Sequence, residues 1–229
     1  MRLIPVIDVR DGVVVHARGG ARADYRPLRS PLVDSARPAA VARALSALCG
    51  GSPVYVADLP AIAGAAPDAA MLAQVSAVAE AWVDAGATTA RRARALAAAG
   101  AARNVLGTES LRVARAPAGG PAPALSVDLR DGRLVTALAG LTGREPLAAA
   151  PLAGALGVRE VIVIELTAVG MGTGPALQAV QQLARALPGV EILAGGGVRD
   201  DRDLRALARA GASGALVATA LHEGRVTPG

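Results

Sequence analysis

An apolar run that stops at Asp-x-Arg-Asp-Gly occurs twice in this chain, and the duplication constrains the fold more than any other feature. The first copy is Ile7-Asp8-Val9-Arg10-Asp11-Gly12, continued by Val13-Val14-Val15. The second is Val127-Asp128-Leu129-Arg130-Asp131-Gly132, continued by Arg133-Leu134-Val135. Each copy reads as a short buried strand that delivers an Asp to its C-terminal end and then turns at Asp-Gly. Asp11 and Asp131, just before glycine, read as turn residues. The repeat continues beyond the opening motif. Ala85-Gly86-Ala87-Thr88 precedes a helix ending at Ala99-Gly100, then a strand and Gly107-Thr108. Gly196-Gly197-Val198-Arg199 precedes a helix ending at Ala210-Gly211, then a strand and Ala218-Thr219. Asp58 has a counterpart in Glu165, each after an apolar strand.

Short β-rich runs alternate with alanine-rich helical stretches along the whole chain. Strands are expected at 3–8, 53–58, 80–84, 103–107, 124–128, 159–165, 190–194 and 214–218. Helices are expected at 36–48, 68–78, 88–99, 108–114, 146–156, 174–187, 200–210 and 219–223. Pro38 sits in a first helical turn, while Gly100 and Gly211 follow helix ends. Eight strands alternating with helices imply a parallel sheet with crossovers. The duplicated halves favour closure into a (β/α)8 barrel with an internal two-fold repeat, the TIM-barrel architecture, over an open doubly wound sheet. The expected organisation is one domain over 1–229. Its half-barrels span about 1–115 and 124–229, joined by the exposed Pro/Gly stretch 116–123.

The 229 residues suffice for one large single-cored domain. No run of about 18 apolar residues could span a bilayer, so no membrane partner is expected. The opening residues show no signal-peptide pattern and Cys49 stands alone, so a cytoplasmic, reducing location is expected. All 24 basic residues are arginine. Without lysine, Schiff-base catalysis and a P-loop are excluded. The net charge of +5 points to anionic ligands. With 1% aromatics and no Phe there is no stacking platform for nucleic acid, so a small anionic molecule is the expected partner. The oligomeric state is left open, a homo-oligomer included.

In such barrels the strand C-termini face the active site. Asp8 and Asp128 are therefore the candidate catalytic pair, two facing carboxylates suited to acid/base chemistry. Asp58 and Glu165 occupy equivalent positions as supporting acids. Gly195-Gly196-Gly197 follows the seventh strand and Ala218-Thr219 the eighth. Loops after those strands commonly form a phosphate site, with backbone N–H groups close to the oxyanion. In the long first loop, Arg18, Arg22 and Arg26 are candidates to clamp an acidic substrate. His16 ends the return strand and is a further candidate, while His222 reads as structural. No His/Cys/Asp cluster has metal-ligand spacing, so no metal is expected.

These residues together resemble the histidine-biosynthesis barrel superfamily of the ProFAR isomerase (HisA) and the cyclase (HisF). The segments that carry the likeness are Ile4-Pro5-Val6-Ile7-Asp8-Val9, Tyr55-Val56-Ala57-Asp58-Leu59, Leu125-Ser126-Val127-Asp128-Leu129-Arg130 and Gly195-Gly196-Gly197-Val198-Arg199. The resemblance implies that Asp8 is a general base and Asp128 a general acid in an Amadori rearrangement of an aminoaldose phosphate, without metal or organic cofactor. It also implies a glycine-rich phosphate loop in each half. Here the first-half copy reads Asp84-Ala85-Gly86-Ala87, with an acid in place of glycine. His16 replaces the cyclase's lysine, which argues against cyclase activity.

Val15-His16-Ala17-Arg18-Gly19-Gly20, Trp82-Val83-Asp84-Ala85-Gly86 and Leu216-Val217-Ala218-Thr219-Ala220-Leu221-His222 look closer to a divergent HisA-like branch of methanogens and methylotrophs. That branch implies a sugar-phosphate-type isomerase in the biosynthesis of one-carbon cofactors of the methanopterin or methanofuran type. Two alternatives stand beside it: a true ProFAR isomerase, and a non-catalytic HisA-like binding or structural barrel.

Overall fold

Eight parallel strands close on themselves. The computed structural model describes residues 1–112 and 114–228. In chain order the strands are β1 (Arg2–Arg10), β2 (Val13–His16), β3 (Arg26–Pro27), β4 (Val54–Asp58), β5 (Ala81–Asp84), β6 (Arg103–Gly107), β7 (Pro123–Arg130), β8 (Arg133–Leu134), β9 (Glu160–Glu165), β10 (Glu191–Gly195) and β11 (Gly214–Val217). The barrel runs β1-β4-β5-β6-β7-β9-β10-β11 and returns to β1, where Arg2 to Pro5 pair in parallel with Gly214 to Val217. The short β2, β3 and β8 are antiparallel additions at the C-terminal rim. The helices are α1 (Pro38–Leu48), α2 (Leu59–Ile62), α3 (Ala69–Ser76), α4 (Ala90–Ala98), α5 (Ala150–Leu156), α6 (Leu177–Ala186), α7 (Asp201–Ala210) and α8 (Thr219–His222). No helix among the described residues is long and apolar enough to cross a membrane.

The local chemistry explains the boundaries. Pro38 opens α1, where its missing N–H is no loss. The Thr89 side chain caps α4 by accepting from Arg92 N–H, and Asp200 caps α7 by accepting from Arg202 and Asp203 N–H. Gly211 ends α7 in the left-handed conformation, with φ of 100°. The duplicated Asp-Gly pairs are two copies of one turn. Asp11 and Asp131 have φ of 53° and 52°, and Gly12 and Gly132 have φ of 75° and 72°. Two successive left-handed residues make the hairpin turn whose twist suits antiparallel strands.

Side chains alternate along the strands between two apolar layers. Ile4, Tyr55, Trp82, Val105, Ala124, Ile162, Leu193 and Leu216 fill the barrel. Val54, Val56, Leu106, Leu125, Val127, Val161 and Val163 belong to the larger cluster under the helices. The N-terminal mouth is closed. Arg2 and Arg103 lie 5.2 and 4.8 Å from the Trp82 ring centre, close enough for cation–π attraction. Arg2 also pairs with Glu191 at 3.0 Å, and Arg103 with Glu160 at 2.9 Å. All four charged residues begin barrel strands, and their side chains cover the N-terminal end of the barrel.

The expected strands match the barrel strands closely, and one expected helix is absent. Residues 108–110 form a turn and 111–112 are irregular, in place of a helix over 108–114; Val113 lies outside the described residues. The Thr108 hydroxyl and the Glu109 N–H are both drawn to Asp128 on the neighbouring strand. That tertiary pull overrides the local helical pattern.

Candidate active site

A cavity of about 220 Å³ opens at the C-terminal mouth. Asp8 and Asp128 both line it, together with His16, Arg22, the Gly195–Gly197 turn, Ala218 and Thr219. Residues from both half-barrels thus meet in one space.

The two aspartates are held differently. Asp128 is 5% exposed and its carboxylate accepts three hydrogen bonds. Ser126 Oγ donates to Oδ1 at 2.7 Å, while Thr108 Oγ1 and Glu109 N–H donate to Oδ2 at 3.2 and 3.0 Å. No described residue donates to the Asp8 carboxylate. Burial pushes the Asp8 carboxyl up to about 6, with the Arg22 guanidinium pulling the other way. Burial likewise pushes Asp128 to about 6, against the hydrogen bond from Ser126 and the other donors. A low-dielectric site disfavours the charged form of both acids, which brings them to the pH range where a carboxyl can exchange protons.

Another wall is the glycine turn that follows β10. Gly196 and Gly197 have φ of 83° and 82°. A Cβ at Gly197 would lie 2.8 Å from the Gly174 carbonyl carbon and overlap its oxygen, and one at Gly196 would overlap the Glu165 carbonyl. Glycine is therefore demanded by backbone packing as well as by any ligand. The N–H groups of Gly197 and Val198 donate to no other described residue. Free N–H groups in such a turn suit an oxyanion. Gly197→Ala combines a left-handed alanine with a backbone overlap, so it is expected to cost about 3 kcal/mol. A urea midpoint equal to wild type would contradict this packing.

The supporting acids are placed elsewhere, which corrects their expected position at the mouth. Asp58 accepts from Ala61 N–H at 3.2 Å and Asp68 N–H at 3.0 Å, capping α2 and holding the following loop. Glu165 accepts from Asp131 N–H at 3.0 Å and Gly132 N–H at 2.9 Å, pinning the second Asp-Gly turn. Neither lines the cavity. Both sit at strand ends, but turn amides claim their oxygens first.

The arginines of the first loop also divide. Arg22 enters the cavity and pairs with Glu109 at 2.6 Å. Arg18 and Arg26 are exposed and outside it, and Arg26 belongs to β3, opposite His16. Arg10 sets this geometry by donating to the carbonyls of Arg22 and Tyr25, both at 2.6 Å. His16 lines the cavity, its Nε2 held at the Arg29 backbone. His222 lines the cavity as well, 4% exposed, with Nδ1 2.7 Å from Ser30 Oγ.

Several lining residues were not singled out as site residues in the sequence. Asp84, Glu109, Tyr55, Arg130 and Arg225 all border the cavity; Tyr25, which the sequence places beside the first-loop arginines as part of the same clamp, borders it too. For Asp84 a signal existed, because it occupies the repeat position of Gly195. Tyr55 Oη donates to Asp84 Oδ2 at 3.1 Å. Burial pushes the Asp84 carboxyl up to about 7, helped by the neighbouring Asp128 charge.

Comparison with known proteins gives the family. The family described as histidine biosynthesis protein matches residues 2–227. A Rubrobacter xylanophilus protein is 35% identical, over 98% of this chain and 93% of its own length. A Halobacterium salinarum protein is 30% identical, over 98% and 93% respectively. Both are named 1-(5-phosphoribosyl)-5-((5-phosphoribosylamino)methylideneamino)imidazole-4-carboxamide isomerase. An uncharacterised Methanocaldococcus jannaschii protein is 42% identical, but over only 28% of each chain. The full-length relatives carry the isomerase's name and not that of a one-carbon enzyme. With a closed (β/α)8 barrel and a family match along nearly its whole length, the chain belongs to the histidine biosynthesis protein family of HisA/HisF barrels.

Proposed function

We propose that the chain is a cofactor-independent isomerase that moves protons on a phosphorylated aminosugar, with Asp8 as general base and Asp128 as general acid. One observation carries the reading: both carboxyls border the same cavity as the Gly195–Gly197 turn. The phosphate would sit against the free N–H groups of that turn, beside Ala218 and Thr219, and hold the sugar across the two acids. Asp128 gives a proton to the ring oxygen as the C1–O bond breaks, and the nitrogen lone pair forms the C1=N bond. Asp8 then takes the C2 proton, leaving an enaminol. Protonation at C1 and loss of the O2 proton give the aminoketose, so atoms and charge balance. Carboxyls raised to about 6 allow one to be ionised and the other protonated close to neutral pH.

The test is deuterium exchange. The protein is incubated with a panel of sugar and aminosugar phosphates in deuterated water, and NMR follows label entering next to the carbonyl. Label in at least one phosphorylated compound is expected, and none in its dephosphorylated form.

A second reading makes the substrate that of the named relatives, favoured by 35% identity over 98% of the chain. Complementation of a histidine auxotroph lacking that isomerase decides it. Rescue that disappears with Asp8→Asn assigns the relatives' reaction. Exchange on another sugar phosphate without rescue assigns a different substrate. Exchange on a pterin or furan precursor would restore the one-carbon role, for which the full-length relatives supply no support. Neither exchange nor rescue would leave a non-catalytic binding barrel.

A further inference from the structure

The internal repeat allows the two ends of the cavity to be compared position by position. In the second half-barrel, β10 ends on Gly195 and places no side chain at the mouth. In the first half, β5 ends on Asp84, 5% exposed and lining the same cavity. Asp84 Oδ1 faces the Gly86 N–H at 3.5 Å. Gly86 is the repeat counterpart of Gly197, whose N–H is free. Arg92, the arginine nearest this loop, donates to the carbonyls of Ala61 at 3.1 Å, Ala85 at 3.4 Å and Gly86 at 3.1 Å. It is fastened to backbone and does not line the cavity.

The next loop differs in the same sense. After β11 the chain continues through Ala218-Thr219-Ala220, small residues that leave space. After β6 it continues through Thr108-Glu109. Thr108 is tied to Asp128, and the Glu109 side chain enters the cavity against Arg22. Asp84 and Asp128 converge over Gly107: their Oδ2 atoms lie 3.1 and 3.2 Å from the point where a Gly107 Cβ would sit. Asp8 completes this wall with a carboxylate to which no described residue donates. The first-half end thus gathers Asp8, Asp84, Glu109 and Asp128 around Arg22. Arg130, also lining, stands over Gly20, its Nη2 3.4 Å from that residue's Cβ position.

A phosphate dianion against Asp84 and Glu109 would meet like charges, and the arginine beside them, Arg22, is already paired with Glu109. A protonated nitrogen would meet acceptors on several sides. We propose that the ligand carries one phosphate only, held at the Gly195–Gly197 end, and that its other end is a protonated amine or amidinium received by Asp84 and Glu109. The proposal rests on the proposed function's assignment of phosphate to the glycine turn. It separates this chain from its relatives' named substrate, which contains two phosphoribosyl groups. Since burial raises the Asp84 carboxyl to about 7, a cation arriving beside it releases protons near neutral pH.

Titration calorimetry with three probes tests this: glucose 6-phosphate, glucosamine 6-phosphate and fructose 1,6-bisphosphate. Glucosamine 6-phosphate is expected to bind at least about tenfold more tightly than glucose 6-phosphate, since the two differ only by ammonium for hydroxyl. Its binding enthalpy should vary with buffer ionisation heat at pH 7, reporting the released proton. The bisphosphate should bind no more tightly than glucose 6-phosphate. Asp84→Asn and Glu109→Gln should each reduce the amine preference to within about threefold while glucose 6-phosphate still binds. That retained binding also shows the variants are folded, and Glu109, on the partly exposed side of the cluster, is the safer of the two. A bisphosphate that binds tenfold more tightly, or equal affinity for amine and hydroxyl, overturns the proposal and leaves the phosphate site standing. Failure of all three probes and of inorganic phosphate to bind overturns the phosphate site and this proposal together.

Discussion

Asp8→Asn is expected to slow deuterium exchange by at least about 100-fold while leaving substrate affinity within about threefold. Asparagine has the same shape but cannot accept the proton. The Asp8 carboxylate receives no hydrogen bond from any described residue, so the substitution strands no donor. Asp128→Asn is expected to behave differently. Its carboxylate accepts from Ser126, Thr108 and the Glu109 N–H. The two hydroxyls can rotate, but the Glu109 N–H is fixed and would face an amide –NH2 in one of the two orientations. This variant should therefore lose exchange rate, and the gain in stability at pH 8 that follows from removing a buried charge should be smaller than for Asp8→Asn. Asp8→Asn should lose rate without losing stability, and gain stability toward pH 8 as a buried charge is removed. The comparison separates chemistry from architecture, and equal rates in wild type and Asp8→Asn would remove Asp8 from the mechanism. The pH profile adds a second measurement. With both acids near 6, the optimum belongs to the pair and should fall close to that value. Asp8→Asn should abolish the limb that reports ionisation of the base.

Folding stability is expected to rise as pH falls from 8 to 5. Asp84, raised to about 7, and Asp8 and Asp128, raised to about 6, bind protons in the folded state at a pH where the unfolded chain, near 3.8, does not. Their contribution is complete below the unfolded value and is lost as pH rises through 6 to 7. His222 opposes them. Burial holds it down at about 4, so its neutral form supports the fold above 6.5, and this support weakens as pH falls toward 4. Asp58, also raised by burial, acts with these three carboxyls, and four groups against one leave a net gain on acidification. Asp203, held low by the Arg199 guanidinium, acts below this window. Asp84→Asn removes the largest contributor. It should stabilise the protein at pH 8 by on the order of 2 kcal/mol, by less at pH 5, and flatten the slope between. Chemical denaturation at the two pH values measures this. Stability that climbs from pH 5 to pH 8 would mean that these carboxyls are not desolvated as described.

Much of the fold was legible because its signals are local. The eight barrel strands lie within a residue or two of the apolar runs that announced them. The Asp-Gly pairs were readable as turns, since few sequences favour two left-handed residues in succession. The helix expected over 108–114 was not formed, because the pull on Thr108 and Glu109 comes from Asp128, on another strand. The site was legible in part for the same reason. Asp8 and Asp128 could be found from their strand-end positions. Asp58 and Glu165 occupy strand ends too, and nothing along the chain shows that backbone amides of neighbouring loops take their oxygens. Arg18, Arg22 and Arg26 look alike in sequence. Only the fold of the loop, braced by Arg10, turns Arg22 inward and leaves the other two exposed.

The amino-acid order alone settled the repeat, the strand and helix alternation, and the presence of an acid at each of four strand ends. These depend on periodicity and turn chemistry within a few residues. The tertiary structure decided which acids face the cavity, how firmly each is held, and that Asp84 and Glu109 stand where the other half-barrel leaves glycine and alanine. Those properties depend on burial and on partners far away along the chain, and the charge of a buried carboxyl is set by the groups that surround it.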